Sequence, residues 1–142
     1  MPTSNTPKFV FPTEFTWSAV GGLDGKKPII IRRNDAAICL KASPEYPYLV
    51  CVTMKFTKAD QRLMARDEDC DVVGPIETAL VTAFERDRLA LLVATVAYAD
   101  SFIWHFYTRD LREIENRLNA VVPSLPGRKV NVEAERDPTW QA

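Results

Sequence analysis

Long apolar runs are missing from this chain, and none approaches the roughly 20 residues that a membrane-spanning helix needs. Its first residues, Met1-Pro2-Thr3-Ser4-Asn5-Thr6-Pro7, also lack the basic-then-apolar layout of a secretory leader. No membrane partner is expected, and the cytoplasm is the expected compartment. An excess of either charge is missing too. With 18 Lys+Arg against 19 Asp+Glu the formal net charge is −1, so no global field draws in nucleic acid or anionic lipid. Histidine is nearly absent: His105 is the only one, which excludes a Ser-His or Cys-His pair built anywhere else and any two-histidine metal site. Cys39, Cys51 and Cys70 are odd in number and never reach Cys-x-x-Cys spacing. That fits reduced thiols better than a disulfide framework or a zinc site. Of the five glycines, Gly21, Gly22 and Gly25 fall between strands instead of opening a helix, so they make no phosphate-binding loop. No cofactor is implied.

What is present is the composition of one globular domain. The 142 residues are 46% hydrophobic and 26% charged, ordinary values for a chain long enough to bury a core without staples. Residues 1–13 carry Pro2, Pro7 and Pro12 among polar residues and read as a tail or strap. Residues 14–142 read as a single α+β domain.

Along that domain the chain alternates between period-2 and period-3.6 patterns. A strand from Glu14 to Val20 and another from Ile29 to Arg32 flank the glycine-rich Gly21-Gly22-Leu23-Asp24-Gly25 turn and predict a hairpin. In 48–56, Tyr48, Val50, Val52, Met54 and Phe56 share one strand face, opposite Thr53 and Lys55. Ile76, Ala79, Leu80, Ala83 and Phe84 keep helical spacing. Pro75 suits a first helical position, which puts the start near Gly74, with an earlier, kinked start as the alternative. The strands 89–98 and 102–107 follow, joined by a three-residue turn that pairs Tyr98 with Phe102 and Val96 with Trp104. The same register places Ile103, His105 and Tyr107 on the opposite face beside Val93, Thr95 and Ala97. Asp110 caps a helix striped by Leu111, Ile114, Leu118 and Val121, and 129–135 alternates as a last strand. The expected fold is therefore a ferredoxin-like βαββαβ core, an antiparallel sheet with two helices on one face, preceded by an N-terminal β-hairpin.

Few residues form a chemical constellation. Asp67, Asp69 and Asp71 space like the first ligands of a calcium loop, but Val72 stands where that loop needs Gly and Thr78 where it needs Glu. The acidic run reads as a solvated loop before a helix. Glu133 and Glu135 share a strand face, a spacing common on exposed strands that Lys129 or Lys55 could balance. Phe102-Ile103-Trp104-His105-Phe106-Tyr107 has the aromatic density of a base-stacking strand, without the basic-Gly start of that motif; nucleic acid is a disfavoured partner. No catalytic and no metal-binding set is assigned.

A larger pattern remains. Trp17, Gly22, Asp24-Gly25-Lys26, Pro28 and Arg33-Asn34, then Phe106-Tyr107-Thr108-Arg109-Asp110 and finally Asp137-Pro138 with Trp140, resemble the bacterial domain of unknown function 695 family over residues 14–140. The resemblance implies no activity and transfers no site; Trp17, Gly25, Asp137 and Trp140 are its marker residues. It implies a layout similar to the ferredoxin-like regulator that inhibits ribonuclease E by binding it. Together these readings lead to a non-enzymatic protein-binding or regulatory domain. Its expected surface is the uncovered sheet face with Ile103, His105 and Tyr107, or the exposed edge of the last strand, where an unknown protein or a second copy adds on as in a homodimer. The alternatives are a small-molecule binder or hydrolase in a pocket between hairpin and sheet, using His105 and a carboxylate, and an RNA binder on the aromatic strand.

Overall fold

The computed structural model describes residues 17–24, 27–41, 43–55, 67–98, 101–124, 130–138 and 140; the expected tail at 1–13, Gly25 and Phe56 lie outside the described residues. Among the described residues there are six strands: β1 (Trp17–Asp24), β2 (Lys27–Asn34), β3 (Tyr48–Lys55), β4 (Ala90–Tyr98), β5 (Ser101–Thr108) and β6 (Val130–Arg136). Two α-helices, α1 (Asp67–Glu85) and α2 (Leu111–Val121), fall between β3 and β4 and between β5 and β6. The strands form one sheet in the order β1-β2-β4-β5-β3-β6, antiparallel at every neighbouring pair. The α+β class and the antiparallel sheet are as expected, and the sheet is wider than four strands because β2 pairs with β4 from Ile29↔Tyr98 to Arg33↔Ala94.

Strand alternation sorts the side chains into two cores. Val50, Val52 and Met54 of β3, Trp104 and Phe106 of β5, and Ala90 and Leu92 of β4 pack with Ile76, Leu80 and Phe84 of α1 and Ile114 of α2. Both helices therefore cover one face. Phe84 meets Phe106 edge-on, with ring centroids 5.0 Å apart, the arrangement favoured by the ring quadrupoles. On the other face Leu49, Leu91 and Tyr107 pack under Ala37 and Leu40 of a 3-10 helix (Asp35–Leu40) and under Tyr46, with Trp140 against them. That lid lies over one end of the sheet.

Three expectations need correction. The β4–β5 connection has two residues, not three, so Tyr98 pairs with Ser101, Ala97 with Phe102, Val96 with Ile103 and Thr95 with Trp104. Thr95 and Ala97 thus lie on the helix-covered face, and Ile103 has Val96 beside it. A bulge between Leu92 and Ala94 then resets the register, so Leu91 and Val93 both reach the second core. Secondly, Gly21 and Gly22 belong to β1, not to the turn; β1 and β2 pair over all eight positions, down to Asp24↔Lys27, leaving a two-residue link of the length hairpins favour. Thirdly, α1 begins at Asp67 and holds Pro75 inside it, so the start is the earlier of the two alternatives and not the one near Gly74. An internal proline costs a helix about 3 kcal/mol, and α1 carries it between its start and the buried Ile76, Leu80 and Phe84. The acidic run is helix, not loop.

Local chemistry closes the remaining ends. Asp110 caps α2, its carboxylate accepting from the backbone N–H of Arg112 (2.9 Å) and Glu113 (3.3 Å). Arg117 of α2 donates to the carbonyls of Ala83 (3.0 Å) and Arg86 (2.7 Å) at the C-terminal end of α1, where the dipole favours a cation. The hairpin is tied to α1 through Glu77, whose carboxylate accepts from the Arg32 guanidinium and from Trp104 Nε1 (3.1 Å). Arg32 also lies 4.8 Å over the Trp17 ring, a cation–π contact. Truncating Phe106 to Ala should cost about 3–5 kcal/mol because its ring is wholly buried. Asp110→Ala should cost about 1 kcal/mol, the loss of one cap. Urea denaturation of both variants measures the difference; equal losses would contradict this division of the core.

Candidate functional site

The open sheet face divides into a covered end and an uncovered remainder. At the covered end Tyr107 is 3% exposed. Its ring stacks on Trp140 with centroids 4.1 Å apart and planes 8° apart, and its hydroxyl donates to Asp137 Oδ2 at 2.6 Å. Burial, then the Asp137 carboxylate, pushes the Tyr107 pKa well above the usual phenol range. Trp140 Nε1 donates to the Tyr46 carbonyl (2.9 Å), Tyr46 Oη donates to the Arg88 carbonyl (2.7 Å), and the Asp137 N–H donates to the Pro47 carbonyl (2.7 Å). Trp140 holds φ at 56°, a left-handed conformation costly for a side chain of this size. The stack and the indole hydrogen bond hold it there. Tyr107, Asp137 and Trp140 are therefore a clasp fastening the chain after β6 to the loop before β3. Tyr107 is not presented on a surface, which corrects its place among the expected contact residues. Trp17 packs against the helix-covered core, half-buried.

Beyond the clasp, matched strand positions align in rows. One row crosses four strands as Val20↔Ile31↔Val96↔Ile103 and continues to Thr53 and Asn131. The next runs Ser18↔Arg33↔Ala94↔His105↔Cys51↔Glu133. Val20 is 58% exposed, and Ile31, Val96 and Ile103 are half-buried. An apolar band is thus flanked by Ser18 and Arg33 on one side and by Thr53, Asn131 and Glu133 at its far end.

Within the second row Cys51 Sγ lies 3.4 Å from His105 Nδ1. The two residues are 54 apart in the chain, and only the β3–β5 register joins them. Burial, then Glu135 and Glu133, pushes the Cys51 thiol up to about 11, while burial lowers the His105 pKa. A nucleophilic pair needs thiolate beside imidazolium. Here both shifts go the other way, and with a pKa of about 11 only about one thiol in ten thousand is ionised at pH 7. His105 Nε2 is buried with no hydrogen-bond partner. Among the described residues no group of three or more His, Cys, Asp and Glu side chains is placed to hold a metal ion.

Other expected chemistry meets the same geometry. Trp104 and Phe106 are 0% exposed beneath the helices, so these two rings of β5 are not available to stack on bases. The hairpin continues the sheet edge-on, so hairpin and sheet do not face each other across a pocket. A shallow groove of about 960 Å³ lies between α1 and α2, lined by Thr78, Ala79, Thr82, Asn116 and Ala120; the Arg117 and Glu113 charges along it are already paired, at 3.0 Å. No helix of the described residues is long and apolar enough to cross a membrane.

Comparison with known proteins returns one family. The model of a family of unknown function, DUF695, matches residues 16–142, and the chain belongs to that family. It matches no curated protein and no solved structure.

The lowered His105 pKa has a consequence for stability. A depressed folded-state pKa gives stability that is present above the unfolded value near 6.5 and lost as pH falls through the folded value. His105→Gln should therefore flatten the loss of thermal stability between about pH 7 and 5. Glu85, raised chiefly by burial, works in the opposite direction: its contribution is full at low pH and is lost as pH rises through the raised value. Thermal melts of wild type and His105→Gln across that range isolate the histidine. Parallel pH profiles would show that His105 carries no such linkage.

Proposed function

We propose that this member of the DUF695 family is a non-catalytic protein-binding module whose working surface is the uncovered part of the sheet. The observation that carries this reading is the apolar row Val20, Ile31, Val96 and Ile103, with Ser18 and Arg33 along one side and Thr53, Asn131 and Glu133 at its far end. An apolar centre with a polar rim is the anatomy of a protein interface, and contiguous apolar surface left open on a domain marks a contact site more often than an ornament of the fold. Ile103 and His105 remain on that surface; Tyr107 supports it from beneath the clasp. The flat, strand-built shape suits another protein better than a small ligand, which binds in concave sites. The neutral Cys51–His105 pair supports a contact role over a nucleophilic one.

The order β4-β5-β3-β6, with α1 and α2 as crossovers, supports reading this part as a ferredoxin-like unit with the β1–β2 hairpin on its β4 side. Such units host many functions, and the open face is where this one offers contacts. The unpaired, half-buried thiol of Cys51 fits the reducing cytoplasm.

The test is affinity capture of the tagged chain from its own cells, with and without nuclease, read by quantitative mass spectrometry. A partner that survives nuclease should be depleted by about tenfold or more with Ile103→Glu, which places a charge in the apolar row. Glu115→Ala, on the exposed side of α2, should leave it unchanged. A partner retained equally by Ile103→Glu, or released by nuclease, would overturn the reading.

A further inference from the structure

Strand β1 ends the sheet, and among the described residues nothing pairs with its outer side. Which of its main-chain groups point outward follows from Pro28. Proline has no N–H, so Leu23↔Pro28 must be a pair that exchanges no hydrogen bonds. Antiparallel ladders alternate, which makes Gly22↔Ile29, Val20↔Ile31 and Ser18↔Arg33 the bonded pairs. Trp17, Ala19, Gly21 and Leu23 therefore direct their N–H and C=O groups away from the sheet.

Proteins normally guard such an edge with charge, proline, a bulge or brevity. From Trp17 to Leu23 there is no charge and no proline, and the eight-position register has no shift. The other edge, β6, carries Glu133, Glu135 and Arg136 in seven residues. Gly21 adds an independent observation. A side chain at this position would meet nothing within 4 Å, and its φ is not in the left-handed range, so nothing among the described residues calls for glycine here. A glycine inside a strand weakens it, and one recurring reason for its presence is close approach of another backbone.

We propose that two copies of the chain pair through β1, antiparallel about a two-fold axis at Val20. In that register Ala19 and Gly21 of one copy form hydrogen-bonded pairs with Gly21 and Ala19 of the second copy. Trp17 likewise meets Leu23, so every outward group of the strand finds a partner. Val20, 58% exposed in one chain, faces its own counterpart in a non-bonded pair, where side chains approach most closely. The row Val20, Ile31, Val96, Ile103 then continues into the same row of the second copy. A second copy is the occupant because the uncharged stretch from Trp17 to Leu23 meets itself without repulsion, and because a two-fold contact closes. The two six-stranded sheets join into one that ends on both sides in β6, whose charges stop further addition. The pairing uses the strand edge and leaves the open face free, so it does not rest on partner binding and its test fails separately.

Sedimentation velocity on the full chain over a wide concentration range tests this, alongside Gly21→Pro, which removes an outward donor, and Val20→Lys, which charges the axis. Val132→Lys, on the β6 edge, is the control. Wild type should sediment as a dimer that dissociates on dilution, both β1 variants as monomers with wild-type thermal unfolding, and the control as a dimer. If Gly21→Pro fails to fold, Val20→Lys at its exposed position decides. A wild-type monomer throughout, a species larger than a dimer, a dimer that survives Val20→Lys, or one lost in Val132→Lys would each overturn the proposal.

Discussion

A sheet with both helices on one side has a second face whose apolar side chains must be hidden or used, and the alternation along β5 determines how that face is divided. Trp104 and Phe106 enter the helix-covered core, where each is fully buried. Ile103, His105 and Tyr107 take the other side by necessity, because successive strand side chains point to opposite faces. The face they share is then hidden only at one end, where the 3-10 helix, Tyr46 and Trp140 close over Tyr107. Most other features depend on that partial cover. The bulge in β4 delivers both Leu91 and Val93 to the covered end, and the clasp through Asp137 holds the cover shut. Past Val93 nothing in the described chain continues the lid, and the apolar row lies there.

Local patterns carried much of this. The order of six strands and two helices is legible from period and punctuation, as is the Asp110 cap, because a cap bonds to residues two and three positions on. The sorting of β3 and β5 into faces is legible for the same reason. What escapes is whatever depends on a pairing between distant segments. One residue in the β4–β5 link decides whether Thr95 or Val96 lies beside Trp104, and no side chain near the link records that choice. Tyr107 reads as a surface residue until Trp140, 33 positions later, is folded over it. Gly21 and Gly22 read as turn residues because glycine favours turns, yet they sit in a fully paired strand.

The candidate site shows the same division. His105 stood out as the only histidine, but its partner Cys51 is fixed by the β3–β5 register, and the character of the pair is fixed by burial. Desolvation disfavours the charged form of both groups, so an arrangement that would be a reactive dyad in a polar, electropositive cleft rests here as two neutral groups. Spacing alone cannot distinguish these cases; surroundings do.

Glu133 and Glu135 connect this chemistry to the architecture of the sheet. Both project from the open face of β6, opposite Cys51 and Leu49, and both are exposed. As charges on an edge strand they discourage another strand from adding there. As anions beside Cys51 they oppose formation of a second negative charge and help keep the thiol protonated. The same two side chains thus make β6 a poor edge for association and add to the burial that makes Cys51 a poor nucleophile. Among the described residues, the Trp17–Leu23 edge and the apolar row carry no such charge, and they are the surfaces on which the two proposals rest.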